Sequence, residues 1–227
     1  MKKVSQKTEP QTAAAQAQSP QKGDKKKMSL ETLVKIAVLG ALAGVIMLIE
    51  FPLPIAPPFY EMDLSEIVVL VGGFSMGPLA AVAIEAVKIA LNLILTGSDT
   101  VGVGELANFL MGLALVLPPC IVYKHTPLKN TRKGAAAGMV AGVVFCAAVS
   151  AVLNVYMLIP FYSTAYGLPV EQIVAMGAQI FKTVDSVWML ALCCVVPFNL
   201  IKGTVDCLVV FLCYKRLSPL LHRRFIK

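Results

Sequence analysis

Leu79-AAVAIEAVKIALNLI-Leu95 is the stretch that decides the fold. It is apolar apart from Glu85, Lys88 and Asn92. Its length is close to the roughly 20 residues that a helix needs to cross a bilayer. At about 100° per residue, the offsets between Glu85, Lys88 and Asn92 place all three on one helix face. A spanning helix with charges at bilayer depth points them at a partner, a cavity or a ligand.

The same grammar recurs on both sides. A first span is expected over residues 30–49, ending at the proline-rich run 51–58, and a second from Leu64 to Gly77-Pro78. A fourth covers residues 102–122 and a fifth residues 134–159. The last apolar block, 184–214, is too long for one straight span. Proline is well placed in the first turn of a helix, so the sixth span is expected to start at Pro197, with 184–196 a shorter apolar helix at the outer edge. One kinked helix is the competing reading.

Composition agrees. The 227 residues are 57% hydrophobic and 15% charged, against about 45–50% and about 25% in soluble domains. No length remains for a soluble domain. Residues 1–28 are expected to be a disordered basic cytoplasmic tail, 29–220 the membrane domain, and 221–227 a second basic tail. The apolar run after Lys27 is long enough to be a retained span rather than a signal peptide.

Lysine and arginine cluster at Lys22, Lys25, Lys26 and Lys27, at Lys124, Lys129, Arg132 and Lys133, and at the C-terminal end. The remaining loops carry Glu61, Asp63, Glu66, Asp99 and Glu171. By the positive-inside rule, the fold class is an all-α membrane protein, a six-transmembrane-helix bundle with N- and C-termini cytoplasmic. These flanks account for the net charge of +7 without nucleic acid as a partner. The six cysteines all lie in apolar stretches and read as small packing residues.

Asn92, Glu105, Asn108, Asn154, Asn199 and Lys202 all fall within two turns of the outer ends of their helices, which describes a pocket open to the outside. Each asparagine has a plainer role as interhelical glue, and Glu85 with Lys88 has one as an ion pair. On the first span, Ala37, Gly40, Ala41 and Gly44 form overlapping small-xxx-small pairs, which suit either internal packing or a partner helix. The chain has no H-E-x-x-H or Walker A sequence, so it is not expected to be an enzyme or to hydrolyse ATP. His125 and His222 lie in basic segments away from the pocket. A lipid-acting membrane enzyme wants clustered acids or histidines, and a secondary transporter often shows internal repeats. Neither signature is evident.

Several motifs in order carry a resemblance: Pro52-Leu53-Pro54, Phe59-Tyr60-Glu61-Met62-Asp63-Leu64-Ser65-Glu66, Gly72-Gly73-Phe74 with Gly77-Pro78, Gly102-Val103-Gly104-Glu105-Leu106-Ala107-Asn108-Phe109, Pro197-Phe198-Asn199-Leu200-Ile201-Lys202-Gly203 and Tyr214-Lys215-Arg216-Leu217-Ser218-Pro219. Over residues 30–220 the chain resembles the substrate-binding S components of energy-coupling factor (ECF) vitamin transporters, most closely the riboflavin-specific members. The resemblance implies a multi-pass protein of the bacterial plasma membrane that captures riboflavin as substrate, with no cofactor. It implies a partner module of one EcfT-type coupling protein and two EcfA-type ATPases. An S component for another vitamin is the alternative.

The family's Asn-x-x-Lys motif on the last helix falls on Asn199 and Lys202, and Asn154 is the nearest match for its other flavin-contacting asparagine. The family's Ala-x-x-x-Ala docking motif falls on Ala37 and Ala41, with Gly40 and Gly44 completing the expected interface. Asparagine both donates and accepts, which suits an imide edge. Phe59, Tyr60 and Trp188 are candidate ring-stacking residues, and Glu105 and Thr96 candidate partners for the ribityl hydroxyls. The expected substrate set is therefore Asn199, Lys202, Asn154, Asn108, Glu105, Asn92 and Tyr60.

Overall fold

The computed structural model describes residues 29–98 and 100–222, with side chains described as far as Cys213. The expected tail at 1–28, residues 223–227 of the tail expected at 221–227, and Asp99 lie outside the described residues. Among the described residues the regular structure is helical apart from one two-stranded ribbon. The helices are α1 (Leu30–Met47), α2 (Glu66–Met76), α3 (Pro78–Thr96), α4 (Val103–His125), α5 (Arg132–Leu153), α6 (Ile159–Tyr166), α7 (Val170–Ile180), α8 (Val187–Leu190) and α9 (Val196–His222). Strands β1 (Phe51–Pro52) and β2 (Glu61–Met62) pair antiparallel, Phe51 opposite Met62.

Local chemistry sets the boundaries. Ser29 caps α1 by accepting from the Thr32 N–H, and Thr131 caps α5 by accepting from the Gly134 N–H. Between α2 and α3 the chain turns on Gly77, at φ +102°, a conformation that side chains with a Cβ rarely adopt. Pro78 then opens α3.

Among the described residues, five helical stretches are long and apolar enough to cross a membrane: Leu30–Met47, Pro78–Thr96, Val103–His125, Arg132–Tyr166 and Val187–Cys213. The expected second span is the 11-residue α2. At about 1.5 Å per residue it is only about half as long as the apolar core is thick. It lies instead inside the bundle, with Val69, Leu70 and Phe74 buried. α4 packs along α5, α1 along α3, and α5 along α9. A second apolar cluster, including Ala56, Met62, Ile159, Ile173, Leu190 and Phe198, ties the β1–β2 loop to α6, α7 and α8 at one end.

Two expectations about prolines are corrected. The helix does not restart at Pro197, because α8 runs into α9 through a π-helical turn at Ala191–Val195. The fifth span likewise does not end at Ile159. It continues through a π turn at Asn154–Leu158 into α6. In each turn the N–H just before the proline reaches five residues back, Ile159 to the Asn154 carbonyl and Val196 to the Ala191 carbonyl. A proline inside a helix has no N–H to give and its ring crowds the carbonyl of residue i−4. One extra residue in the preceding turn widens the helix and relieves that crowding. The single-helix reading of the last block is the one found, and α7 was not anticipated.

The small residues of α1 also divide. Ala37 and Ala41 are exposed, whereas Gly40 and Gly44 are buried against α3. A Cβ on Gly40 would come within 2.6 Å of the Val87 Cβ, and one on Gly44 within 3.2 Å of the Leu91 Cβ. Gly40 and Gly44 are therefore internal packing residues and are removed from the expected partner interface. Gly40→Val should destabilise the detergent-purified protein by about 1–3 kcal/mol through overpacking. Ala37→Val, on the open face, should stay within about 0.5 kcal/mol. Thermal unfolding of the two variants reads the difference.

Candidate functional site

Two adjoining chambers open at the end of the bundle where α6, α7 and the β1–β2 loop lie. The inner one has a volume of about 180 Å³, and Tyr60, Asn108, Asn154, Phe198, Asn199 and Lys202 are among the residues lining it. The outer one, about 500 Å³, has Asn92, Thr96, Glu105, Asn108, Tyr162 and Tyr166 in its wall. Glu50, Phe59, Glu61, Gly104, Asn108 and Tyr162 border both. The seven residues of the expected substrate set thus line the chambers: Tyr60, Asn154, Asn199 and Lys202 inside, Asn92 and Glu105 outside, Asn108 between.

The walls of the inner chamber follow from the elements that carry them. The β1–β2 pairing closes the loop that presents Phe59 and Tyr60, whose ring centroids are 4.5 Å apart. Tyr60 lies 6.0 Å from Phe198, and Phe59 lies 5.9 Å from Tyr162. Four aromatic rings therefore flank a polar strip. Along that strip the Tyr60 hydroxyl donates to Asn154 Oδ1 at 2.5 Å, and Asn154 Nδ2 donates to the Ser150 carbonyl at 2.8 Å. Asn199 Nδ2 donates to the Val195 carbonyl at 2.9 Å. Both amides bond back to carbonyls one turn before them, beside the π turns. Burial pushes the Tyr60 hydroxyl up from its ordinary value, so it remains a neutral donor.

Lys202, expected to donate to the ligand's polar edge, also has a partner within the protein. Its Nζ lies 2.6 Å from Asp63 Oδ2, and the Ser65 N–H and hydroxyl both donate to Asp63 Oδ1. Burial alone would raise the Asp63 carboxyl. The Lys202 ammonium, helped by Lys88 and Ser65, outweighs it and holds the group well below the usual carboxylate range. Deeper in, Lys88 Nζ sits 2.7 Å from both Glu66 Oε1 and Glu85 Oε1. Glu85 and Lys88 are thus structural ion partners. Gly112 of α4 makes room for them, since a Cβ there would meet Glu85 Oε1 and come within 2.7 Å of Glu66 Oε1. Asp206 is fully buried and absent from both chamber walls.

Trp188 is the candidate that the structure excludes from the cavity. It is exposed and packs edge-on against Tyr156, with centroids 5.8 Å apart. Sequence reasoning missed Glu50, Glu66, Tyr162 and Phe198 as wall residues. Phe198 carried a usable signal, because it precedes Lys202 by four residues and so shares its helix face.

A chamber with an aromatic wall and a polar strip, set in helices apolar enough to cross a bilayer, defines a membrane-embedded solute-binding protein. Residues 31–214 match the family described as "ECF transporter, substrate-specific component". The chain belongs to that family, as its sequence motifs led one to expect. It is 30% identical over 191 residues to the riboflavin transporter RibU of Staphylococcus aureus (strain TCH60), covering 84% of this chain and 92% of that one. It is 31% identical over 198 residues to the riboflavin transporter FmnP of Bacillus subtilis (strain 168), covering 87% and 97%. A solved structure described as "Structure and mechanism of the S component of a bacterial ECF transporter" superposes with a TM-score of 0.64 at 30% identity, covering 85% of this chain and 98% of that one. These relatives are transporters, not enzymes.

Glu50 gives the site a pH signature. Although its side chain reaches solvent, lost hydration in the mouth and then the neighbouring Glu61 push its carboxyl from an ordinary 4.5 up to about 7. A raised folded value favours the protonated form. Its contribution to stability is therefore complete below about pH 4.5 and is lost as pH rises through about 7. The melting temperature in detergent should fall between pH 5 and pH 8, and Glu50→Gln should flatten that fall.

Proposed function

We propose that this chain captures riboflavin from the outer face of a bacterial plasma membrane and delivers it through an ATP-driven partner module. The observation that carries the reading is the inner chamber itself, with aromatic rings of Phe59, Tyr60, Tyr162 and Phe198 beside the polar groups of Asn108, Asn154, Asn199 and Lys202. An isoalloxazine ring has two apolar faces and one edge rich in carbonyl and ring-nitrogen acceptors. Aromatic stacking suits the faces, while amides and an ammonium suit the edge. The larger outer chamber, with Asn92, Thr96 and Glu105 in its wall, then takes the hydroxyl-rich ribityl tail. The names of the Staphylococcus and Bacillus relatives support the same ligand.

The topology belongs to this reading. The segment from Asp63 through α2, which returns the chain from the chamber end to the start of α3, counts as a sixth crossing beside the five long stretches, and an even number puts both termini on one side. The lysine-rich flanks place that side in the cytoplasm, and the chamber end then faces out. The partner module is one EcfT-type protein with two EcfA-type ATPases. The exposed Ala37 and Ala41 on α1 form the surface that meets the coupling protein, because small side chains let a partner helix approach closely in lipid.

Purified protein should quench riboflavin fluorescence at one site per chain. Asn199→Ala or Lys202→Ala should weaken binding by about 1–3 kcal/mol, the usual size of a lost bond that strands its partner, or roughly tenfold to a hundredfold. Asp206→Ala should matter less. Titration of variants whose fold is checked by circular dichroism decides it. Absence of riboflavin binding, with capture of a different vitamin, would move the chain to another S-component specificity.

Docking is tested separately. Ala37→Leu or Ala41→Leu should abolish cellular riboflavin uptake while leaving binding intact. Loss of binding along with uptake would show that this face packs internally.

A further inference from the structure

Glu66 has so far served only as an ion partner of Lys88 and a wall residue of the inner chamber. It opens α2, is 2% exposed, and lines the inner chamber. Oε1 is committed to Lys88 at 2.7 Å. Oε2 is buried and has no hydrogen-bond partner among the described residues. A carboxylate oxygen left bare inside a protein is costly, and such an oxygen in a native site calls for an explanation. Lys88 does not neutralise it fully, because the same ammonium also serves Glu85 at 2.7 Å. A residue of the chamber wall thus holds an unpaired acceptor.

The neighbouring donors are partly committed, each amide keeping one of its two N–H bonds. Tyr60 donates to Asn154, Asn154 to the Ser150 carbonyl, and Asn199 to the Val195 carbonyl. Lys202 is held by Asp63, but an ammonium has three N–H bonds and retains capacity to donate. The chamber therefore offers a cation that donates and an anion that only accepts. A ligand edge that satisfies both carries a carbonyl next to an N–H.

We infer that Glu66 is a specificity-determining residue, whose free Oε2 accepts the imide N–H of a planar heterocycle while Lys202 donates to a flanking carbonyl. This rests on the riboflavin reading and deepens it. The ligand class is narrowed to rings with an unsubstituted imide, and alkylation of that nitrogen removes the donor and puts carbon against a carboxylate. Substituting Glu66 leaves Lys88 paired with Glu85, so the interior stays charge-balanced and the bundle has no new unpaired ammonium.

The test compares riboflavin with its N3-methyl derivative by fluorescence titration on the detergent-purified chain. Unaltered protein should prefer riboflavin by roughly tenfold to a hundredfold. In Glu66→Ala the preference should shrink to about threefold or less, and Glu66→Gln, which keeps an oxygen for Lys88, should shrink it as well. Glu85→Gln perturbs the same ion cluster from outside the chamber and should keep the full preference. An undiminished preference in both Glu66 variants overturns the inference, as does an equal collapse in Glu85→Gln. If the unaltered protein binds neither flavin, the riboflavin reading itself falls and takes the inference with it. Binding with an unchanged preference removes only the role of Glu66.

Discussion

The Lys88 ammonium, held between Glu66 and Glu85, is the contact on which the arrangement of the interior depends. It is fully buried in a bundle that is otherwise packed with alanine, valine, leucine and isoleucine. Removing the Lys88 ammonium would leave both carboxylates without a counter-ion, and breaking a buried pair in this way costs about 3–5 kcal/mol. The cluster therefore fixes how α2 and α3 sit, and Gly112 of α4 leaves the space it occupies. The Lys202–Asp63 pair repeats the device between α9 and the segment leading into α2. Both pairs anchor that one segment, and it is the same segment that brings Tyr60 over the chamber. α2 is too short to cross a bilayer on its own and too polar at its start to face lipid. Its ion partners give it a place inside.

Much of this was legible in the chain. Apolar length identified the long helices, and the polar residues at bilayer depth named the residues that line the two chambers. What failed to read through had physical causes. Pro160 and Pro197 look like helix ends because proline removes a donor, yet a π turn absorbs each one, and nothing in a one-dimensional pattern announces the extra residue. Gly40 and Gly44 sit on the same helix as Ala37 and Ala41, three residues out of phase. Small-residue spacing cannot say which pair faces the bundle and which faces out. Trp188 was drawn toward the site by its chemistry and placed away from it by the face of α8 on which it lies.

Lys202 is the most instructive residue. Spacing put it beside Asn199 on one helix face, which is where it is found. Its partner, Asp63, lies 139 residues earlier, in a loop whose acids looked like solvent-facing charges. Long-range pairing of this kind depends on tertiary approach, and local pattern has no access to it. Glu66 was lost for the same reason, as one of three acids in an apparently ordinary connection.

The two π turns have a consequence for how such chains are compared. Each is a surplus residue, and losing it would leave an ordinary α-helix of almost the same length. Everything on the outer side would then swing by about 100° relative to the inner side. In the last helix, Trp188 lies outward of the turn while Asn199 and Lys202 lie inward, so their relative facing is set by a count rather than by side-chain chemistry. A one-residue gap placed carelessly between 191 and 195 would leave every hydrophobic match intact and silently reassign which residues look into the chamber. Kinship measured by identity alone passes over that position, although it is where inheritance of the site is decided.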